Sequence, residues 1–146
     1  MKSSLFPDVN VWLAATHRRH THNSVAADWI NQANALIYFC RLTQLGFLRL
    51  LTTKQVMGKD VSSQTEALKL YDSWRADERV GFQHEPDNPA FESLFRKFSG
   101  RPGSSPKVWS DAYLLAFAVA SGLRLVTFDQ AVGRIPEADV LVLEAS

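Results

Sequence analysis

The sequence predicts a single α/β domain with a short, mostly parallel central sheet of four to five strands, covered by helices on both faces. Two observations lead to this prediction: short apolar segments alternate along the chain with segments of helical periodicity, and turn residues separate the two kinds of segment. With 146 residues, the chain can bury roughly two thirds of its unfolded surface around one core, so we expect one domain, residues 1–146.

Charge and cysteine content narrow the possible environments and partners. The formal net charge is only +1, so any contact with nucleic-acid phosphates must be local. The single cysteine, Cys40, cannot form an internal disulfide, and no Cys/His spacing resembles a zinc module. The longest uncharged stretches, among them residues 112–123, are too short to span a bilayer, and no signal peptide develops at the N-terminus. We therefore expect a cytoplasmic protein with no membrane partner.

The first half of the chain predicts two strands and three helices. Leu5–Pro7 is a brief strand that its proline must terminate or place at a sheet edge, because proline cannot donate to a ladder. The apolar VNVWLAA predicts a short buried helix, and the polar, basic THRRHTHN ends it. Asn23 or Ser24 can cap a second helix. Residues 35–39 form the second strand, and TQLGFLRLLTT, from Thr43, predicts a third helix.

The second half continues the alternation. Ser63 and Glu66 form the capping-box pattern of a fourth helix, and Val80–Phe82 is a weak third strand. An Asn-Pro pair at residues 88–89 caps and begins a fifth helix, which ends before the loop SGRPGSSP. A last strand is expected at residues 140–143.

One stretch, residues 107–130, reads as a helix, a turn and a strand with an aspartate at each end. The helix is rich in Ala and Leu, so it suits a buried position, and Gly122 is the residue expected just past its C-terminus. Asp111 lies at the start of this helix, and Asp129 follows the strand at residues 123–128. In a helix-to-parallel-strand unit, both positions fall on the same rim of the sheet.

Asp8 joins this pair, because it follows the first strand. Three carboxylates on one rim would repel one another unless a cation lay among them. Mg²⁺ prefers carboxylate oxygens together with retained waters, and such an ion can activate a water and stabilise charge on a phosphoryl group. Each aspartate alone is also explained by the helix dipole or by turn chemistry. The three together predict a metal site formed by Asp8, Asp111 and Asp129.

Three segments resemble the PIN domain, in the branch formed by VapC-type toxins of bacterial toxin–antitoxin pairs: LFPDVNVWLA, TQLGFLRLL and DAYLLAFAVASGLRLVTFD. The resemblance covers nearly the whole chain. It implies a Mg²⁺- or Mn²⁺-dependent endoribonuclease in which a metal-activated water hydrolyses an RNA phosphodiester, leaving a 5′-phosphate and a 3′-hydroxyl. It also implies a cognate antitoxin protein that holds the enzyme inactive, and a homodimer.

Several residues take their expected roles from this resemblance. Asp8, Asp111 and Asp129 match the family's catalytic and metal-binding acids, with Asn10 and Thr127 in support. The family commonly has glutamate in the central segment, and the matching residue here is taken to be Gln44.

The missing charge at Gln44 has a chemical consequence. Three aspartates can still hold one ion, but a second cation needs surplus anionic charge. We therefore expect one weakly held metal, and we expect Gln44→Glu to tighten Mn²⁺ binding. The alternative is that Gln44 bonds a neighbour and does not reach the metal.

Other charged and aromatic residues are weaker candidates. His17, His20 and His22 lie on a polar loop, and we interpret them as surface residues, although two of them could ligate a transition metal. Basic residues near the acids in sequence could contact RNA phosphates, foremost among them Arg41 and Lys107. The others are Arg18, Arg19, Lys54 and Arg101.

Two other functions remain open at this point. A PIN-fold binding module that has lost its activity is suggested by Gln44 in place of the usual acid. A phosphoacceptor receiver domain also has an acidic rim and a late threonine, but it would need paired acids after the first strand, where only Asp8 is found.

Overall fold

The computed structural model describes residues 4–144, and within them it contains five strands and seven α-helices. The strands are β1 (Leu5–Pro7), β2 (Ile37–Phe39), β3 (Val80–Phe82), β4 (Arg124–Thr127) and β5 (Val140–Val142). The helices are α1 (Val9–Thr16), α2 (Asn23–Gln32), α3 (Arg41–Leu51), α4 (Lys54–Met57), α5 (Gln64–Arg75), α6 (Pro89–Ser99) and α7 (Val108–Ser121). Short 3₁₀ turns lie at Gly58–Asp60 and Val132–Arg134.

All five strands pair in parallel, in the order β3-β2-β1-β4-β5. This confirms the α/β prediction, and it places β1 at the centre of the sheet. Pro7 pairs with Val126 as the last residue of β1, so the proline terminates the strand and does not mark a sheet edge. The ladder continues one step further, where Asp8 N–H donates to the Val126 carbonyl at 2.9 Å.

The predicted helix ends are mostly where the sequence indicates them. Ser63 and Glu66 form the reciprocal capping box of α5. The side chain of Asn88 caps α6 with a proline in the first turn. Gly122 ends α7 with φ of 68°, a left-handed conformation that glycine adopts without a Cβ penalty.

Three local predictions were wrong. α2 begins at Asn23, but Asn23 does not cap it; its amide instead donates to the Ala14 carbonyl at 2.7 Å. α3 begins at Arg41, two residues before the predicted start at Thr43. The cause is the Thr43 hydroxyl, which accepts from the Cys40 N–H at 2.9 Å and so extends the helix backwards. The third error is an omission, because the short helix α4 was not predicted from the sequence.

The core lies on both faces of the sheet. On one face, the helices α1, α2, α3 and α5 cover the sheet, and Trp12 stacks on Phe39 with ring centroids 3.9 Å apart. On the other face lie α6 and α7, where Phe6 stacks on Phe117 at 4.9 Å. No helix among residues 4–144 has the length and apolar character needed to cross a membrane.

The crossing of α1 and α3 is tight at Gly46. A Cβ placed on Gly46 would lie 2.7 Å from Cγ2 of Val9, closer than van der Waals contact allows. Val9 is β-branched and directly follows Asp8, so it has little rotamer freedom to move aside. The glycine therefore sets how closely α3 approaches the start of α1.

We expect Gly46→Ala to lower the free energy of unfolding by about 1 kcal/mol, although alanine favours helices. The clash with Val9 should cost about 1–3 kcal/mol, more than the gain in helix propensity. In the Val9→Ala background, where the clashing methyl groups are gone, adding Gly46→Ala should cost much less than it does in the wild type. Urea unfolding of the four proteins measures this coupling, and independent, additive effects would contradict the proposed clash.

Candidate active site

Three carboxylates meet at the edge of the sheet where the parallel strands end. Asp8 directly follows β1, Asp129 lies two residues beyond β4, and Asp111 is in the first turn of α7. They line one cavity of about 70 Å³, as the sequence predicted for a shared rim. The other lining residues are Asn10, Lys107, Leu114, Leu125, Thr127, Phe128 and Val132.

A buried threonine joins the ends of the two central strands. The hydroxyl of Thr127, the last residue of β4, donates to Oδ2 of Asp8 at 2.6 Å and accepts from the Asp129 N–H at 3.1 Å. Oδ1 of Asp8 accepts from the Val11 N–H at 3.0 Å, so Asp8 also caps α1. Both oxygens of Asp8 are thereby fixed, and each keeps lone-pair capacity for a further partner.

Burial and like charge raise the proton affinity of this site. The pKa of Asp8 lies above its usual value chiefly because burial disfavours the carboxylate, and the charge of Asp111 adds to the effect. Hydrogen bonds from Thr127 and Val11 act in the opposite direction. Burial also raises the pKa of Asp111, as does the charge of Asp129, whereas Lys107 lowers it.

The three acids are negative charges without a direct counter-ion. Within residues 4–144, none of them takes part in an ion pair. A cation would relieve the repulsion among these carboxylates.

The donors in the cavity suit an oxygen-binding cation. The carboxylates and the Asn10 amide offer oxygen ligands, which Mg²⁺ and Mn²⁺ prefer. The cavity offers no sulfur or imidazole ligand of the kind that structural zinc sites use. Among the described residues, no three His, Cys, Asp or Glu side chains converge closely enough to hold an ion as they stand. One or two carboxylates plus waters, the usual surroundings of Mg²⁺, therefore fit the cavity better than an all-protein cage.

A larger groove opens beside the acids. It has a volume of about 490 Å³ and shares Asp8, Asn10, Lys107 and Asp111 with the cavity. We call it the α3 groove, because α3 forms one wall with Leu42, Leu45, Gly46, Arg49 and Leu50. Its remaining lining comes from Val9 and Ser110, together with Leu114, which it also shares with the cavity. The groove is therefore acidic at one end and mainly apolar elsewhere.

Two predicted site residues lie outside these cavities. Gln44 lines neither of them, and its amide oxygen accepts a hydrogen bond from Arg41. Arg41 in turn lies over the ring of Phe82, 4.8 Å from its centroid. The structure thus pairs Gln44 with Arg41 and does not direct it at the acids. Lys107, by contrast, lines both cavities.

The residues of α3 that do face the acids were missed from the sequence. Leu42, Leu45, Gly46 and Arg49 follow one another at helical spacing along the groove wall. That spacing was the signal from which the groove-lining face of α3 could have been identified in the sequence. The helical spacing puts Gly46, and not Gln44, on the same face as the other groove-lining residues of α3.

Comparison with known proteins gives consistent matches. Residues 5–138 match the model of the PIN domain family. The chain is 41% identical over 133 residues to Ribonuclease VapC41 of Mycobacterium tuberculosis (strain ATCC 25618 / H37Rv), an alignment that covers 87% of this chain and 90% of that protein.

Two crystal structures resemble the fold at low sequence identity. One is VapBC2 from Rickettsia felis bound to a DNA fragment from its promoter, with a TM-score of 0.65 and 11% identity, covering 97% of this chain and 99% of that one. The other is Mycobacterium tuberculosis VapC20, described as a sarcin-ricin loop cleaving toxin, with a TM-score of 0.62 and 14% identity, covering 92% and 98%.

We expect Asp8→Asn to raise the melting temperature of the metal-free protein at neutral pH. The amide keeps an acceptor for the Val11 N–H and removes a buried charge that faces Asp111. Each 1 kcal/mol gained would shift the melting temperature by roughly 2–4 °C. Because the folded pKa of Asp8 lies above the ordinary 3.8, the cost of the carboxylate is present above the folded pKa and is lost as the pH falls through it.

Thermal melts in EDTA, from neutral to acidic pH, test this expectation. The difference between Asp8→Asn and wild type should shrink as the pH falls. A lower melting temperature for Asp8→Asn at neutral pH would mean that the hydrogen bonds from Thr127 and Val11 outweigh the effect of burial.

Proposed function

The chain belongs to the PIN domain family as a VapC-type ribonuclease toxin. We propose that it hydrolyses RNA with Mg²⁺ or Mn²⁺ bound among Asp8, Asp111 and Asp129, through one or two of these carboxylates at a time and retained waters. The observation that carries this proposal is the set of three unpaired carboxylates on one cavity, two of them joined by Thr127. We further propose that residues 1–146 form one nuclease domain acting in the cytoplasm, in keeping with a single, buried free cysteine.

The reaction we propose is hydrolysis of a phosphodiester. The oxygen of a water forms a bond to phosphorus, the bond from phosphorus to the 3′-oxygen breaks, and a proton ends on that oxygen. The products are a 5′-phosphate and a 3′-hydroxyl. When bound, Mg²⁺ or Mn²⁺ would supply activation of the water and stabilisation of the charge on the phosphoryl oxygens.

The protein's own contribution is positioning and charge. Thr127 and the Val11 N–H hold the Asp8 carboxylate in one orientation, so no reordering is needed when a cation or phosphate arrives. Lys107 lines the cavity beside Asp111, and there its ammonium can bind a phosphate oxygen of the RNA. Asn10 offers an amide oxygen to an ion or an amide N–H to the substrate. Arg41 lies outside both cavities and would act only on phosphates further along the strand.

Replacing any one of the three aspartates should nearly abolish RNA cleavage. We expect Asp8→Asn, Asp111→Asn and Asp129→Asn each to reduce the rate by roughly 100-fold or more, because each removes charge that an ion needs. The measurement is cleavage of RNA by the purified protein with added Mn²⁺. A 5′-phosphate on the downstream fragment checks the direction of bond breaking.

The matched control is Asp28→Asn. Asp28 is an exposed carboxylate on α2 that lines neither cavity, so its replacement should leave cleavage unchanged. Wild-type rates in Asp8→Asn or Asp129→Asn would show that the assignment is wrong. Absence of cleavage by the wild type, with RNA still bound, would favour an inactive binding module.

Gln44→Glu separates two ways in which Gln44 could act. From its contact with Arg41, we now expect calorimetric titration of Mn²⁺ to give the wild-type affinity. Tighter binding would mean that Gln44 turns towards the ion and acts as the sequence suggested.

We also propose that the α3 groove receives the C-terminal segment of the cognate antitoxin. The groove has a mainly apolar wall and carboxylates at one end, so it suits a segment with apolar side chains followed by a cation. This proposal draws on the family, as does the proposal of a homodimer, which light scattering would test.

Leu45→Asp should disrupt the antitoxin complex. Leu45 is 55% exposed in the groove wall, so the variant should fold normally while placing a charge where we expect apolar contact. We expect the coexpressed antitoxin to bind at least about 30-fold more weakly, with RNA cleavage retained. The control is Leu68→Asp, similarly exposed on α5 away from the groove. Unchanged copurification of Leu45→Asp would exclude the groove.

A further inference from the structure

Four aromatic side chains form a continuous row beside the acids. The ring of Phe128 lies 4.8 Å from that of His22, centroid to centroid, His22 lies 5.7 Å from His20, and His20 lies 6.5 Å from His17. We call this row the ring ladder. All four side chains are partly exposed. Sequence patterns do not connect them, because Phe128 is more than a hundred residues from the others.

The ring ladder begins at the proposed active site. Phe128 lies between Thr127 and Asp129 in the chain and lines the cavity that contains the three acids. The three histidines then lead away along the loop between α1 and α2. A strand of RNA with its scissile phosphate at the acids could therefore continue over these rings.

The rings are held in place before any ligand binds. The His22 N–H donates to Nδ1 of His20 at 3.0 Å, which fixes that ring as the neutral tautomer with its proton on Nε2. Burial, and then the neighbouring His22 and His17, lower the pKa of His20 and keep it neutral. At the far end, Nε2 of His17 is hydrogen-bonded to Oδ2 of Asp60 at 3.1 Å.

Metal binding does not account for the row. Among the described residues, no three His, Cys, Asp or Glu side chains are grouped closely enough to hold an ion, and this includes the three histidines. Helix capping does not account for it either, because the side chain of His22 makes no capping bond at the start of α2.

Positive charge lies at the far end of the row. Arg19 is 62% exposed and pairs loosely with Asp60 at 3.5 Å, and Arg18 beside it is also exposed. Aromatic stacking surfaces followed by cations are the features that bind single-stranded nucleic acid.

We propose that the ring ladder is an RNA-binding subsite, on which an unstacked base next to the scissile phosphate lies against Phe128 and His22. The following nucleotides pass over His20 and His17, and their phosphates reach Arg18 and Arg19. The proposal rests on the proposed function only in taking RNA as the substrate. It assigns to this loop the binding of single-stranded segments in preference to paired ones, because only unstacked bases can reach the rings.

The stacking of a base on His22 is tested by measuring RNA binding without added metal. Fluorescence anisotropy in EDTA would use a short single-stranded oligouridine that carries one fluorescent base analogue. We expect His22→Ala to bind at least about fivefold more weakly than wild type, as for the loss of one base–aromatic stack. His22→Phe should restore binding. The control is His84→Ala, which removes a histidine that contacts Phe82 after β3 and belongs neither to the ring ladder nor to the lining of the two cavities.

The contact of Arg18 and Arg19 with RNA phosphates is tested by the salt dependence of the same binding. Arg18→Ala/Arg19→Ala should lower the slope of log affinity against log salt by about 0.7 for each phosphate that the variant no longer neutralises. His22→Ala should leave the slope unchanged, because stacking releases no counterions. An unchanged slope in the double variant would overturn the role of these arginines.

The outcomes separate this subsite from the proposed reaction. Wild-type binding by His22→Ala would overturn the ring ladder, and so would failure of His22→Phe to restore binding. Cleavage by wild type together with unchanged cleavage by His22→Ala at limiting RNA would leave the proposed function standing without the subsite. Binding that depends on His22 in a protein that cleaves no RNA would support the subsite and reject the proposed function.

Discussion

The Thr127 hydroxyl is the contact on which the geometry of the acidic site depends. It donates to Asp8 and accepts from the Asp129 N–H, so one oxygen atom ties the end of β1 to the end of β4. This is possible only because the two strands are adjacent and parallel, with Pro7 opposite Val126. A shift of one residue between these strands would turn Thr127 to the other face of the sheet and release both aspartates. The strand register and the site are therefore fixed together.

The same arrangement makes the site costly in the absence of a partner. Asp8 is held in a partly buried position by two hydrogen bonds, while Asp111 brings a like charge towards Asp8 and Asp129 brings one towards Asp111. A fold selected for stability alone would place neutral groups there, since an unpaired buried charge is among the more destabilising features a protein can carry. Hydrogen bonding keeps the carboxylates oriented, and burial keeps their charges weakly screened. Both effects increase the attraction for a cation or for a cationic side chain of a partner.

Much of the fold could be predicted from the sequence because its signals are local. The strand segments, the capping box at Ser63 and Glu66, and Gly122 at the end of α7 all reflect patterns within a few residues, and the structure confirms them. The three acids could be brought together by one general rule, that parallel strands end at the same edge. The central position of β1 could not be predicted from these signals, because strand order depends on contacts between distant segments.

Side-chain direction was the other limit. Gln44 and Gly46 differ by two positions on one helix, which is more than half a turn, and only the packing of α3 against Val9 decides which of them faces the acids. The resemblance to the family's central segment favoured the polar residue, Gln44. The structure shows that Gly46, and not Gln44, lines the groove beside Asp8 and Asp111, where the absence of a Cβ lets α3 pack closely against Val9.

The groove and the ring ladder leave the acids by different routes. The α3 groove is formed by residues of α1, α3 and α7, whereas the ring ladder is formed by Phe128 and the loop between α1 and α2, and the two share no residue. A protein segment in the groove would therefore meet an RNA strand on the ring ladder only where the groove and the acidic cavity share their lining, at Asp8, Asn10, Lys107, Asp111 and Leu114. Under the two proposals, inhibition follows from competition for the acids, while each ligand is recognised on a surface of its own. The affinity for the antitoxin and the preference for RNA can then change independently, because substitutions along either route leave the other unchanged.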